Sequence, residues 1–286
     1  MPAEPPVESP ATLGDAYRLL ADGGTAWRPV AGGTDLLVQI AADISPLPEH
    51  VLDIWGLDEL RGINLEGDEL VIGALTTYTD LRASALVAEL LPALTAAAAT
   101  IGAAQIQNRG TVGGNLVNAS PAGDTLPIWL ATDSQIVLGS AAGERLVPAG
   151  EFFPSYRVTV RRDNELVLRV RVPLLPRRHV RFRKVGTRRA QAISKVVLAL
   201  SWITADDGAW HDTRVALGSV AATPIRARAT EAALDGRHPV RTTADEAETA
   251  LEGEITPIDD VRSTADYRRR VAGRVLHRLI REEGGW

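Results

Sequence analysis

Two glycine-pair segments contain the residues of this sequence best suited to bind a ligand. They are VAGGTDLL at residues 30–37 and GTVGGNLVNASPAGD at residues 110–124. Because glycine has no Cβ atom, a ligand can approach the backbone closely and a positive φ costs little. Consecutive backbone N–H groups can form a concave anion site, and neighbouring Thr, Asn and Ser side chains add hydrogen bonds. The two segments together predict a two-sided grip on a diphosphate.

Other chemistries find no support in the sequence. No Lys follows the glycines as in a Walker A loop, and neither segment matches the G-x-G-x-x-G dinucleotide fingerprint. A single glycine pair is more often a structural turn than a ligand site, so the hypothesis depends on having two. The five histidines show no metal-ligand spacing, and G-x-S-x-G is absent. We therefore predict no catalytic residue and no metal ligand.

Composition narrows the class of protein further. The chain has 286 residues, a formal net charge of −5, 45% hydrophobic and 23% charged residues, which is ordinary for a soluble globular protein. The negative charge argues against a general nucleic-acid binder. With no cysteine, the chain cannot ligate an iron–sulfur cluster through thiolates. The start MPAEPPVESP lacks the features of a signal peptide, and no apolar stretch approaches the ~20 residues of a membrane span. We expect a cytoplasmic protein.

The elements that must position the two segments follow from the hydrophobic pattern. Residues 1–10 are predicted as a disordered lead-in. Mixed helices and strands follow in two α/β parts, at about 11–56 and 57–175, and prolines near residue 175 indicate a domain boundary. Residues 176–286 are predicted as strands followed by helices, the last carrying Tyr267, Val271, Val275 and Leu279 at helical spacing.

A basic run, PRRHVRFRKVGTRR, begins this last part and spans Arg177 to Arg189. One interpretation is a solvated strand and loop. Another is electrostatic docking of an acidic partner subunit. Nucleic-acid binding ranks third, because few aromatic residues are interleaved.

The segments AGGTDLL and TVGGNLVNASPAGDTLP closely resemble the paired flavin loops of one family. These are the FAD-binding (medium) subunits of the xanthine dehydrogenase and carbon monoxide dehydrogenase family of molybdenum hydroxylases. Similar segments continue in order over nearly the whole chain: FFPSYRVTV, ELVLRVRVP, RFRKVGTRRAQAISKV, LGSVAATPIRARATEAAL and ADYRRRVAGRVLHRL. The resemblance implies an α+β fold. A two-part FAD-binding domain of the PCMH/VAO type would precede a C-terminal domain with a three-stranded sheet and helices.

The resemblance also implies a set of cofactor-binding residues. The first segment would wrap the FAD diphosphate, mostly through backbone N–H groups, and the second would hold it from the other side. Farther along the second segment, two residues would lie towards the ribityl and adenosine portions. The full set is Pro29, Ala31, Gly32, Gly33, Thr34, Asp35 and Leu36; Gly110, Thr111, Gly113, Gly114 and Asn115; Asn118 and Asp124; and Ile101 and Lys195.

Two members of this set lie outside the segments. Ile101 matches a position that packs an apolar side chain against the cofactor. Lys195 matches a Lys near the isoalloxazine, where a cation would favour the anionic reduced flavin. For Lys195, a solvated Lys at a strand edge is an equally good interpretation.

The function implied by the resemblance is that of the FAD subunit of a molybdenum hydroxylase complex. Electrons would pass from [2Fe–2S] clusters of a small subunit to FAD and then to NAD⁺, O₂ or another acceptor. A large molybdopterin subunit would oxidise the organic substrate. Two alternatives stay open: a stand-alone FAD-dependent oxidoreductase acting on a small molecule, and a non-enzymatic FAD-binding scaffold subunit. The sequence identifies neither the organic substrate nor the electron acceptor.

Overall fold

The computed structural model describes residues 4–188 and 191–286. Its strands are β1 (Val7–Glu8), β2 (Trp27–Val30), β3 (His50–Asp53), β4 (Ile63–Glu66), β5 (Glu69–Gly73), β6 (Gln135–Ser140), β7 (Gly143–Pro148), β8 (Leu166–Pro173), β9 (Arg178–Val185), β10 (Val196–Thr204), β11 (Trp210–Gly218) and β12 (Ile225–Arg226). Its α-helices are α1 (Leu13–Ala21), α2 (Leu36–Ala41), α3 (Tyr78–Ala83), α4 (Ala85–Leu90), α5 (Pro92–Ala98), α6 (Ala104–Gln107), α7 (Val112–Asn118), α8 (Leu126–Ala131), α9 (Arg228–Leu234), α10 (Arg241–Glu254) and α11 (Ala265–Gly284).

The first part is a small parallel sheet in the order β1-β3-β2, with α1 packed against it. Here the structure corrects the predicted lead-in over residues 1–10, because β1 pairs in parallel with β3. The side chains of β1 are exposed, so its sequence shows no hydrophobic pattern. The backbone supplies the attachment instead: Val51 N–H donates to Pro6 O at 2.9 Å. Residues 1–3 lie outside the described residues.

The second part is a five-stranded antiparallel sheet in the order β4-β5-β8-β6-β7. It contains two hairpins, β4–β5 and β6–β7. One face, with Val137, Leu166 and Leu168, packs against the first part. The other face is covered by helices α3, α4, α5, α7 and α8. Pro92 occupies the first turn of α5, where its missing N–H costs nothing, and this separates α5 from α4.

The third part is an antiparallel sheet in the order β12-β11-β10-β9, followed by helices α9 to α11. It has three long strands, as predicted, and a two-residue fourth strand at its edge. The alternation of β10 explains its position. Val197 and Ala199 face the core of the second part, whereas Leu198, Leu200 and Trp202 face the helices. The sequence of a strand that is buried on both faces is a continuous apolar run.

The second glycine-pair segment differs from its prediction as a loop, because much of it forms α7. Thr111 is the N-cap: its side chain accepts a hydrogen bond from Gly114 N–H at 3.0 Å. α7 ends at Ala119, which adopts a left-handed conformation with φ 47°. Among the described residues, no helix is both long enough and apolar enough to cross a membrane.

Candidate cofactor-binding cleft

A cleft of about 1100 Å³ runs between the three parts of the molecule. Its walls come from the segment after β2, from α7 and the residues around it, and from the third part, including Lys184, Arg188, residues 191–194, Ser219 and Arg268. Ligand sites of small molecules and cofactors usually have volumes of about 300–1000 Å³. The cleft is therefore large enough for a cofactor of dinucleotide size.

The first glycine-pair segment presents free backbone donors to this cleft. No acceptor within the described part of the chain takes the N–H groups of Gly32, Gly33, Thr34 or Asp35. Gly33 has φ +71°, a value that glycine adopts at little cost. Successive N–H groups in such a turn form a concave site for an anion.

The second segment uses four of its backbone donors internally. The N–H groups of Val112 and Gly113 donate to Thr76 O and Ala74 O at 3.0 and 2.8 Å. The N–H groups of the next two residues donate to Thr111. In this structure these four N–H groups are therefore not free to bind a ligand.

Two contacts join the segments to each other. A Cβ added at Gly32 would lie 1.7 Å from Arg109 O, so only glycine permits this approach. Asn118 Nδ2 donates to Asp35 Oδ1 at 3.0 Å, and Arg157 Nη1 donates to Asn118 Oδ1 at 3.0 Å. Burial raises the pKa of the Asp35 carboxyl, against the opposing effect of Arg157.

A buried ion pair lies in the cleft wall, between Lys184 and Asp124. Lys184 Nζ lies 2.5 Å from Asp124 Oδ2 and 3.1 Å from Thr100 O, and the two charged side chains are 7% and 8% exposed. Burial raises the pKa of the Asp124 carboxyl, whereas the Lys184 ammonium lowers it. Asp124 Oδ1 is buried and has no hydrogen-bond partner among the described residues.

Most of the predicted cofactor-binding residues line this one cleft. Pro29, Ala31, Gly32, Gly33, Thr34, Asp35, Leu36, Ile101, Gly110, Thr111, Gly113, Gly114, Asn115, Asn118 and Asp124 are among its lining residues. Lys195 is not. Its Nζ lies 4.8 Å from the centre of the Tyr267 ring on α11, in a cation–π contact.

Among the cleft residues that the sequence prediction missed are Lys184, Tyr78 and Arg157. The sequence contained a signal for Lys184. It lies two positions after buried Phe182 in β9, and side chains two apart in a strand share a face. The sequence contained no such signal for Arg157, because this residue contacts Asn118 across 39 positions of the chain.

The basic run is largely neutralised within the chain. Ion pairs join Arg177 to Asp206, Arg178 to Asp212, Arg181 to Glu283, Arg183 to Glu282 and Lys184 to Asp124. Paired charges contribute little field at a distance, so this geometry favours the structural interpretation over docking of an acidic partner. Arg189 lies outside the described residues.

Comparison with known proteins identifies the class that this fold and cleft define. Residues 4–175 match the family described as the FAD binding domain in molybdopterin dehydrogenase. Residues 181–283 match the CO dehydrogenase flavoprotein C-terminal domain. The chain thus combines an FAD-binding domain with the C-terminal domain of the same flavoproteins.

Individual proteins that are similar over nearly their whole length point to the same class of flavoprotein. The carbon monoxide dehydrogenase medium chain of Hydrogenophaga pseudoflava is 32% identical over 95% of this chain and 94% of its own. The xanthine dehydrogenase FAD-binding subunit of Escherichia coli O157:H7 is 33% identical over 95% and 93%. A chain of reconstituted CO dehydrogenase from Oligotropha carboxidovorans superposes with a TM-score of 0.93 at 28% identity, covering 100% and 99%.

The chain belongs to the family of FAD-binding medium subunits of molybdenum hydroxylases, which includes the xanthine and carbon monoxide dehydrogenases. Its cofactor is FAD, and the family's members are oxidoreductase subunits.

Proposed function

We propose that the cleft holds one FAD, with its diphosphate at the first glycine-pair segment. The observation that supports this most directly is the run of free N–H groups from Gly32 to Asp35. Each charge-assisted hydrogen bond to a phosphate contributes about 1.5–3 kcal/mol, and several converge here. The adjoining Asp35 side chain is no phosphate ligand, since its oxygen accepts from Asn118.

The cleft residues also suit the rest of the cofactor. Asp124 lines the cleft, and Lys184 fixes its carboxylate and keeps it charged. We assign to Lys184 the role of buried cation in the cleft that the sequence had suggested for Lys195. Ile101 offers an apolar side chain to the same cleft.

The bound FAD would carry electrons from the [2Fe–2S] clusters of a partner subunit to NAD⁺ or another acceptor. The chain itself would bind, orient and shield the cofactor. Its relatives are called medium chains or FAD-binding subunits, which supports partnership with a small iron–sulfur subunit and a large molybdopterin subunit. Among the described residues, no group of three or more His, Cys, Asp or Glu could hold a metal ion.

Cofactor content is the first test. We expect the purified protein to be yellow and to release FAD on acid precipitation, in a ratio of about one per chain. We expect a noncovalent link, because the chain has no cysteine to form a thioether and none of its described histidines lines the cleft. Chromatography of the supernatant measures the flavin. Recovery of no flavin, or of FMN alone, contradicts the proposal.

Dependence on partners is the second test. The isolated flavoprotein is mixed without oxygen with aldehydes, purines and other N-heterocycles, and flavin bleaching is followed. We expect bleaching only after the iron–sulfur and molybdopterin subunits are added, because no residue of the cleft is assigned a substrate-activating role. Rapid bleaching of the isolated chain would instead support a stand-alone flavoenzyme.

A further inference from the structure

Tyr78 lies at the floor of the cleft, against the start of the second glycine-pair segment. It is the first residue of α3, directly after the N-cap Thr77. Its backbone N–H donates to Gly110 O at 3.3 Å. A Cβ added at Gly110 would lie 2.8 Å from the Tyr78 ring, so the ring packs directly on that backbone. The position of the phenol is thereby fixed by its neighbours.

The side chain of Tyr78 is largely buried, but its hydroxyl is not fully enclosed and has no acceptor among the described residues. The residue is 3% exposed and lines the cleft. Within residues 4–188 and 191–286, no group forms a hydrogen bond with this hydroxyl. Burial, reinforced by the carboxylates of Asp35 and Asp124, raises the pKa of the phenol well above its usual range. The group therefore stays a neutral donor at any physiological pH.

A donor without a protein partner in the wall of a binding cleft is available to a ligand acceptor. The first segment presents several free N–H groups, whereas the second uses those of Val112 to Asn115 internally. On the side of the second segment a diphosphate would therefore find few free N–H groups. Tyr78 lies on that side, against Gly110.

We propose that the Tyr78 hydroxyl donates a hydrogen bond to a phosphate oxygen of the bound FAD, and so adds a donor on the side of the second segment. This inference rests on the proposed function, since it takes the diphosphate to lie between the two segments. It makes Tyr78 a cofactor-binding residue rather than a part of the core.

The substitution Tyr78→Phe tests this, because it removes one oxygen atom and keeps the ring. We expect the affinity for FAD to fall about tenfold to one hundredfold, as for the loss of a hydrogen bond to a charged group. We expect the apoprotein to unfold at the same urea concentration or a higher one, because its hydroxyl has no partner to lose. Apoprotein that unfolds at a clearly lower urea concentration, with FAD affinity unchanged, would show a structural role and overturn the proposal.

Ligand fragments identify the group that the hydroxyl contacts. Riboflavin has no phosphate and ADP has no flavin. We expect Tyr78→Phe to weaken the binding of FAD and of ADP and to leave the affinity for riboflavin unchanged. An equal loss for riboflavin would place the contact on the flavin or ribityl portion and contradict the proposal. Fluorescence titration measures FAD and riboflavin, and competition against FAD measures ADP.

Tyr17→Phe is the matched control. Tyr17 is a partly buried tyrosine of α1 that does not line the cleft, and its substitution should leave FAD affinity unchanged. The two proposals fail separately. Wild-type protein that binds no FAD refutes the proposed function. Wild-type protein that binds FAD, with Tyr78→Phe of equal affinity, refutes only the role of Tyr78.

Discussion

The first glycine-pair segment leaves the N–H groups from Gly32 to Asp35 open to the cleft, whereas the second uses those from Val112 to Asn115 to attach the start of α7 to the residues after β5 and to its N-cap. Both have two adjacent glycines followed by a polar residue. The difference comes from their neighbours. The first segment follows β2, which is an edge strand of the small three-stranded sheet. The second packs against Ala74 and Thr76 at the centre of the molecule.

The glycines of the two segments are needed for different reasons. Gly32 faces the carbonyl of Arg109, the residue directly before the other segment, and Gly33 has a positive φ. Gly113 packs on Ala74, where an added Cβ would lie 2.8 Å from the Ala74 Cβ. Gly114 meets only Thr111 Oγ1, at 2.9 Å. A glycine pair therefore indicates close backbone approach, but its partner can be a ligand or another part of the protein.

The largest expected effect is that of Gly32→Ala. Its Cβ cannot coexist with Arg109 O, so the two segments must move apart. We expect a loss of roughly 3 kcal/mol or more in the free energy of unfolding, and at least about one hundredfold weaker FAD binding. Urea denaturation and flavin titration measure these.

Gly150→Ala is the control for that variant, because an added Cβ there meets nothing within 4 Å. Near wild-type stability and affinity in Gly32→Ala would show that the segments do not touch as described.

Lys184→Met tests how the far end of the second segment is held. The variant keeps the chain length but leaves the buried Asp124 carboxylate without its cation. We expect a loss of about 3–5 kcal/mol near neutral pH. The pKa of Asp124, already raised by burial, would rise further. A raised pKa in the folded state stabilises the fold at low pH and loses that effect as pH rises. The deficit should therefore be smaller at about pH 5 than at about pH 8.

Adding Asp124→Asn to Lys184→Met is the control, because it removes the titrating group. The pH dependence of the deficit should then disappear. Equal deficits at both pH values in the single variant would contradict the role assigned to this ion pair.

The smallest effects separate Gly33 from Gly114. Gly33→Ala places an L-residue at φ +71°, which costs roughly 1 kcal/mol, and we expect about fivefold to tenfold weaker FAD binding. Gly114→Ala gains roughly 0.5–1 kcal/mol of helix propensity and crowds only the N-cap oxygen. We expect its stability and FAD affinity to stay close to those of the wild type.

Parallel titrations of the two apoproteins provide the measurement. If Gly114→Ala instead weakens FAD binding more than Gly33→Ala does, the diphosphate lies against α7 rather than against the first segment, and the contrast between the segments is reversed.

The sequence by itself determined a great deal about this protein. Its glycine pairs and their polar neighbours indicated a diphosphate site, and the order of its motifs indicated the family. Local patterns predicted strands followed by helices over residues 176–286, because such elements depend on the spacing of nearby residues. The last helix, α11, is an example.

Only the tertiary structure decided which groups of those motifs are available to a ligand. The free N–H groups near Gly32 and the occupied ones near Gly113 have similar local sequences, and they differ only in what packs beside them. Lys184 rather than Lys195 enters the cleft wall because the two residues lie on either side of a loop and face different neighbours. The hydroxyl of Tyr78 reaches the cleft because α3 packs on Gly110, 32 positions away in sequence. Hydrogen-bond satisfaction and burial depend on long-range contacts, which residue spacing along a single chain does not specify.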